Sequence, residues 1–147
     1  MTVMLLAGVG KGGVMWKAAQ KTELIVQLGV DNTASRSILS DLGARGIRII
    51  AHNICPGRTG NALLLVADDL DKAGHTLRDA GYHYKTDEVV LIETDPLPAC
   101  AARVGLRLRQ QGIGVLYSYE TTAGGNSRCA VFKTTDNARA LHVLISS

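Results

Sequence analysis

The sequence has few cysteines and few aromatic residues. Its three cysteines (Cys55, Cys100 and Cys129) are far apart, and no CxxC motif occurs. This spacing predicts neither a zinc site nor a redox pair, and it is typical of reduced thiols in a cytoplasmic protein. Aromatic residues make up 4% of the chain, which argues against a surface that stacks nucleic-acid bases.

The sequence also has no long apolar run near its start and no large excess of one charge. The run over residues 3–7 is far shorter than the about 20 residues that cross a bilayer, and no basic segment precedes it. Sixteen Lys and Arg against thirteen Asp and Glu give a net charge of +3, less than nucleic-acid-binding proteins usually concentrate on one face. We therefore expect a cytoplasmic protein with neither a membrane nor a nucleic-acid partner.

An internal repeat is the strongest feature that is present. The 147 residues would suit one domain or two small ones. Gly46 and Ile47 recur as Gly112 and Ile113, 66 residues later. A second set recurs 67 residues later, in which Asp69, Ala73, His75 and Leu77 correspond to Asp136, Ala140, His142 and Leu144. The repeat predicts two copies of one unit, over residues 22–87 and 88–147.

Both copies have the same predicted order of strands and helices. In the first, residues 23–30, 47–54, 61–67 and 82–85 predict strands, and the segments ending at Gly46 and Gly81 predict helices. In the second, residues 88–93, 113–121 and 127–134 predict strands, and 97–111 and 136–144 predict helices. The order βαββαβ with two amphipathic helices predicts an α+β fold: two ferredoxin-like units in tandem, each an antiparallel sheet with its helices on one face.

The second copy has no full closing strand of its own, since only a few residues follow its last predicted helix. An open sheet edge invites pairing with another strand. We therefore expect the arm over residues 1–21 to add a strand there, through residues 2–7, unless a partner chain does so.

The repeated strand, loop, helix, Gly-Ile and strand resemble the ACT domain, a small regulatory ligand-binding module. The stretch from Gly112 to Tyr119 (GIGVLYSY) is similar to that family's Gly-Ile-x-Val-x-Tyr-x-Tyr strand. Residues 80–95 likewise resemble the middle of stand-alone tandem-ACT proteins that bind amino acids. The resemblance covers residues 22–145 and implies a non-catalytic regulatory protein that binds a small amino acid or related metabolite at an interface between ACT-like units. It also implies a homodimer and a partner enzyme.

The resemblance places the ligand at the loop that follows the first strand of each unit. In the first unit this loop and helix start comprise Asp31, Asn32, Thr33, Ala34 and Ser35. Helix N-terminal amides there would bind the carboxylate of a zwitterion, and a loop carboxylate would bind its ammonium group.

Two further residues complete the expected binding set. His52 stands on a strand that we expect to lie beside this loop, and Asp95 opens the equivalent loop of the second unit. Both loops depart from the family in having no glycine after the Asp or Asn, and Pro98 removes a backbone donor from the second. This departure leaves open an alternative: a structural or protein-interaction module with a decayed ligand site, dimerising through its sheets.

Other motifs predict no second chemistry. The glycine-rich segment at residues 8–13 departs from a phosphate-binding loop, because Gly12 follows Lys11 where Ser or Thr is needed. His52 and Cys55 are spaced like part of a metal site, but the ligand set is incomplete, so we expect neither a metal nor another cofactor. No nucleophile with an activating partner can be named, so we expect no catalytic residues; an enzyme would need an unsuspected pocket holding paired ionisable groups.

Overall fold

The computed structural model of the protein describes residues 5–9, 15–30, 33–94, 100–122 and 128–145. These residues form seven strands: β1 (Leu5–Val9), β2 (Met15–Gly29), β3 (Ile49–Gly57), β4 (Gly60–Ala67), β5 (Tyr84–Thr94), β6 (Val115–Thr122) and β7 (Arg128–Thr134). They also form four helices: α1 (Thr33–Ala44), α2 (Leu70–Asp79), α3 (Cys100–Gln110) and α4 (Asn137–Ile145). None of the helices in these ranges is long and apolar enough to cross a membrane.

The chain divides into two compact units. The first unit is Thr22–Asp87, and the second combines the described residues up to Lys21 with those from Glu88 onward. In the first unit the strand order is β3-β4-β2-β5. β3 and β4 form an antiparallel hairpin that closes at Gly57 and Gly60, and β4 pairs antiparallel with the second half of β2.

The core of the first unit lies between its sheet and its two helices. Ile38 and Leu42 on α1, and Ala73 and Leu77 on α2, are spaced four residues apart, so each pair lies on one helix face. They pack against the alternate sheet residues Leu24, Val26, Leu28, Leu63 and Leu65. The opposite face of the sheet is buried as well, at Glu23, Ala51, Leu64 and Val66. Burial of both faces explains why residues 63–66 form an unbroken apolar run.

The second unit repeats this arrangement around its own core. β5 pairs antiparallel with β7, and β7 pairs antiparallel with β6. Strand residues and both helices meet in one buried cluster: Trp16, Ala18, Val90, Ile92, Val104, Leu108, Ile113, Ala130, Phe132, Ala140 and Leu144. Trp16, at the start of β2, donates its indole N–H to the Leu144 carbonyl of α4 at 3.1 Å.

The position beside β5 in the second unit is occupied by a different N-terminal segment from the one expected. β2 lies next to β5 in the strand order, and within this unit the Gln20 side-chain amide lies 3.4 Å from the Glu88 carboxylate. Residues 5–9, part of which was expected there, pair with Met15–Ala19 of β2 instead. The start of β2 could not be predicted from periodicity. Only Trp16, Lys17 and Ala18 alternate between buried and exposed positions there, which is too short a run to indicate a strand.

One continuous strand also replaces the two expected over residues 82–85 and 88–93. β5 runs from Tyr84 to Thr94. Just before its start, the His83 carbonyl accepts the Gln27 backbone N–H at 3.0 Å in the first unit. Farther along, Val90 pairs with Phe132 in the second unit. The strand stays unbroken because each of its halves is paired.

The internal repeat extends to individual hydrogen bonds. At the end of α1, Gly46 N–H donates to Gly43 O at 3.0 Å and Ile47 N–H to Leu42 O at 3.0 Å. At the end of α3, the corresponding bonds join Gly112 to Arg109 at 3.0 Å and Ile113 to Leu108 at 2.9 Å. Gly46 and Gly112 have φ values of 76° and 74°, the left-handed conformation that closes a helix. The α1 and α3 helices are therefore in register with an offset of 66 residues.

The second helix of each unit begins with the same cap. The Asp69 carboxylate accepts the Lys72 backbone N–H at 3.0 Å, and the Asp136 carboxylate accepts that of Arg139 at 3.1 Å. Such caps satisfy amides that have no partner within the helix. The expected α+β architecture, with two ferredoxin-like antiparallel units and helices on one face, is confirmed.

Candidate ligand site

The end of β2 and the β3–β4 hairpin lie in direct backbone contact. A Cβ added to Gly60 would lie 2.6 Å from the carbonyl carbon and oxygen of Gly29. Both residues have positive φ, 70° at Gly29 and 125° at Gly60, which favours glycine at each. The hairpin thus fixes the point from which the chain enters the loop before α1. Val30, the next residue, is 90% exposed.

The start of α1 is the part of the predicted site that the structure describes. Thr33 is exposed, Ala34 is half-buried, and Ser35 is only 4% exposed. Thr33 and Ser35 each have an interaction partner. The first turn of this 12-residue helix carries no acidic side chain, so none there competes with an anion for its N–H groups. Asp31 and Asn32, the remaining residues expected in this loop, lie outside the described residues.

His52 aligns with the middle of β2 and not with its end, from which the chain enters this loop. Along the sheet, His52 pairs with Leu65, and Leu65 pairs with Leu24 of β2. The end of β2 aligns with a different residue of β3, because Gly29 pairs with Asn61 and Asn61 with Pro56. Four residues of strand separate His52 from Pro56, a distance of about 13 Å. The exposed His52 side chain belongs to the middle of edge strand β3 instead.

The sequence-based reasoning overlooked the residues that do surround the start of the loop. Gly29, Gly60 and Asn61 lie at the junction of β2 with the hairpin. The family resemblance predicts a glycine after Asp31. In the structure, the positive-φ glycine is Gly29, two residues before Asp31. A strand that ends in glycine opposite a glycine-containing hairpin was the available signal.

In the second unit, Asp95 and residues 96–99 of the equivalent loop lie outside the described residues. The second unit does contain a cleft of about 370 Å³ between α3 and β6. A smaller cleft of about 210 Å³ lies in the first unit, where α2 meets β5 and Arg78 stands 5.6 Å above the ring of Tyr84.

The other chemistry-bearing residues remain scattered. His75 and His142 are exposed at equivalent positions of α2 and α4. Cys55 is exposed and Cys129 is buried. Among the described residues, no three His, Cys, Asp or Glu side chains come together as a possible metal site. Gly8 and Val9 belong to β1, and the rest of the glycine-rich segment lies outside the described residues.

Comparisons with known proteins identify solved structures that share this fold. No protein-family model matches the sequence, and no curated protein matches it. Solved structures do match. Protein BT0572 from Bacteroides thetaiotaomicron is 22% identical over 86% of this chain and 88% of its own, with a TM-score of 0.72. The regulatory subunit of aspartate kinase from Thermus flavus is 12% identical over 97% of this chain and 95% of its own, with a TM-score of 0.61.

A third match is the ligand-free regulatory subunit of aspartate kinase from Thermus thermophilus, 14% identical over 86% of this chain and 93% of its own, with a TM-score of 0.59. At these identities the likeness concerns the fold. Together with the repeated order of strand, helix, two strands and helix, it defines the class: this chain has the tandem ACT-type fold.

Proposed function

We propose that this protein is a non-catalytic regulatory protein that binds a small amino acid through the loop between β2 and α1. The contact between Gly29 and Gly60 carries the proposal, because it fixes where the chain enters that loop. Two solved structures of the same fold are regulatory subunits of aspartate kinase, which supports a regulatory role.

The chemistry of the loop suits a zwitterion. The N–H groups at the start of α1 would receive the carboxylate, since a helix N-terminus carries a partial positive charge. Asp31 would pair with the ammonium group, and Thr33 would add a polar contact. Ser35 is buried within the first turn of the helix, and His52 lies four residues along β3 from Pro56, whose partner Asn61 pairs with the end of β2.

Regulation would follow from differential binding. A ligand that orders the loop in one conformation shifts the population toward that conformation, and a partner enzyme that prefers it binds more tightly. We propose a cytoplasmic homodimer that associates through its sheets. Light scattering after size-exclusion chromatography tests the dimer independently of the ligand.

Thermal unfolding in the presence of each of the twenty amino acids tests the site. A ligand at a hundred times its Kd stabilises a protein by about 2.7 kcal/mol. For a chain of this size that is a rise in Tm of about 5–10 °C. We expect such a rise with one or two amino acids, and we expect Asp31→Asn to remove it. Asp41→Asn, which neutralises an exposed carboxylate on α1, is the matched control and should keep the rise.

Two results would contradict the proposal. An equal rise in both variants would place the ligand elsewhere. No rise with any amino acid at millimolar concentration would favour the alternative function, a protein-interaction module with a decayed ligand site.

A further inference from the structure

The cleft between α3 and β6 has the form of a small-molecule site. Its about 370 Å³ lies within the about 300–1,000 Å³ typical of ligand pockets. One wall is the α3 surface of Ala101, Ala102 and Gly105. Phe132, which is buried, and Val115 form an apolar floor. Ser118 and Arg109 supply the polar groups.

Comparison with the first unit shows why the cleft is open. Since α1 and α3 are in register with an offset of 66, Gly105 corresponds to Leu39. Leu39 packs against the core of the first unit. At the same offset, Ser118 stands where the first unit has His52. Two larger side chains are thus replaced by glycine and serine along this wall of the second unit.

Packing does not require a glycine at position 105. A Cβ added there would lie 4.0 Å from Phe132 Cε1, an ordinary van der Waals contact. Its φ lies outside the left-handed region. Glycine inside a helix is destabilising relative to alanine because it loses more conformational freedom on folding. Gly105 therefore lines the cleft although neither close packing nor backbone conformation requires a glycine there.

The charges around the cleft indicate the class of ligand. Arg109 is exposed at its rim and has no carboxylate partner among the described residues. None of the described lining residues is acidic, so among them only Arg109 carries a charge. A guanidinium group binds carboxylates through two parallel hydrogen bonds. Arg109 and the apolar floor therefore suit an anion with an apolar body.

We propose that this cleft binds a small monocarboxylate with a branched aliphatic or aromatic body and no ammonium group, such as a 2-oxo acid. The carboxylate pairs with Arg109, the apolar body fills the space between Gly105 and Phe132, and the Ser118 hydroxyl is available to a second polar group. This site differs from the amino-acid site of the proposed function in unit, residues and ligand charge, so each can fail without the other.

Isothermal titration calorimetry on the full chain with α-ketoisocaproate tests the proposal. L-leucine has the same side chain with an ammonium group, and methyl isobutyl ketone has the same body without the carboxylate. We expect saturable binding of α-ketoisocaproate and at least about tenfold weaker binding of both analogues, because only the first offers Arg109 a carboxylate without an unpaired cation.

Two variants and two controls locate the binding. Gly105→Leu restores the side chain of the first unit and should abolish binding, and Arg109→Gln should weaken it at least about tenfold. Gly43→Leu replaces an exposed helical glycine on α1, and Arg139→Gln removes an exposed charge on α4; both should bind as the original chain does.

No binding of α-ketoisocaproate at millimolar concentration would overturn the proposal. Binding that is unchanged in Arg109→Gln would also overturn it, as would L-leucine binding that depends on Arg109 to the same degree. If circular dichroism shows that Gly105→Leu does not fold, Arg109→Gln still decides the question, because that residue is exposed and outside the core.

Discussion

Replacing Trp16 tests whether the N-terminal segment is an integral part of the second unit. Trp16 is 4% exposed and belongs to the buried cluster of that unit. An aromatic side chain buries about 150–250 Å², which at about 25 cal/mol per Å² corresponds to roughly 4–6 kcal/mol. The indole hydrogen bond to the Leu144 carbonyl adds about 1 kcal/mol. Because partial collapse recovers some of this, we expect Trp16→Ala to lower the free energy of unfolding by about 3–5 kcal/mol.

The milder variant Trp16→Phe keeps an aromatic ring but removes the donor to Leu144. It should cost about 1–2 kcal/mol, mainly the lost hydrogen bond and the smaller buried area. Lys17→Ala is the matched control, since its side chain is exposed on the same strand and should change stability by less than about 0.5 kcal/mol.

Urea unfolding monitored by circular dichroism measures these differences. Hydrogen exchange measured by mass spectrometry then locates them: in Trp16→Ala, protection should fall in β7 and α4 more than in β3 and β4. Trp16 is the single tryptophan of the chain, so fluorescence of the original protein reports directly on the burial of this side chain. The reasoning is refuted if Trp16→Ala unfolds at the same urea concentration as Lys17→Ala, or if both units lose protection equally.

Two further changes test local features of the first unit. Asp69→Ala removes the cap that accepts the Lys72 N–H and should cost about 1 kcal/mol, a fall in Tm of about 2–4 °C that Asp69→Asn should largely avoid. Gly60→Ala would place a Cβ 2.6 Å from the Gly29 backbone at a φ of 125°, so we expect a loss of more than about 2 kcal/mol in urea unfolding. Gly43→Ala, in open space on α1, should instead stabilise by about 0.5–1 kcal/mol, and the opposite order of these two glycine variants would contradict the structure.

The candidate sites show where sequence reasoning stops. The loop at the start of α1 could be identified because capping residues follow directly after an apolar strand. The residue of β2 with which His52 aligns depends on how β3 is paired with β4. The pairing of His52 with Leu65, rather than with a residue nearer Gly60, is a property of the hairpin register. The bulge between Ile49 and Ala51 lies on the far side of His52 from the turn and changes only the pairing of Ile49.

The α3–β6 cleft depends on tertiary structure for a different reason. Gly105 looks in the sequence like an ordinary break in an amphipathic helix. The repeat aligns it with Leu39, but only the structure shows that the missing side chain lines a cleft facing β6. The missing side chain of Gly105 leaves open space because the residues that line the cleft with it include Phe132 and Val115, which are far away in the sequence.

By itself the sequence determined the repeat, the order of strands and helices, and several helix ends. Gly46 and Gly112 end the first helix of each unit, and Asp69 and Asp136 cap the start of the second. These features depend on residues near one another in the chain, so periodicity and capping chemistry were enough to identify them. The tertiary structure alone decided that β2 lies beside β5, and that residues 5–9 pair with β2 instead. Strand pairing joins residues far apart in sequence, and burial of Trp16 beside Leu144 selects one segment among several of similar local preference.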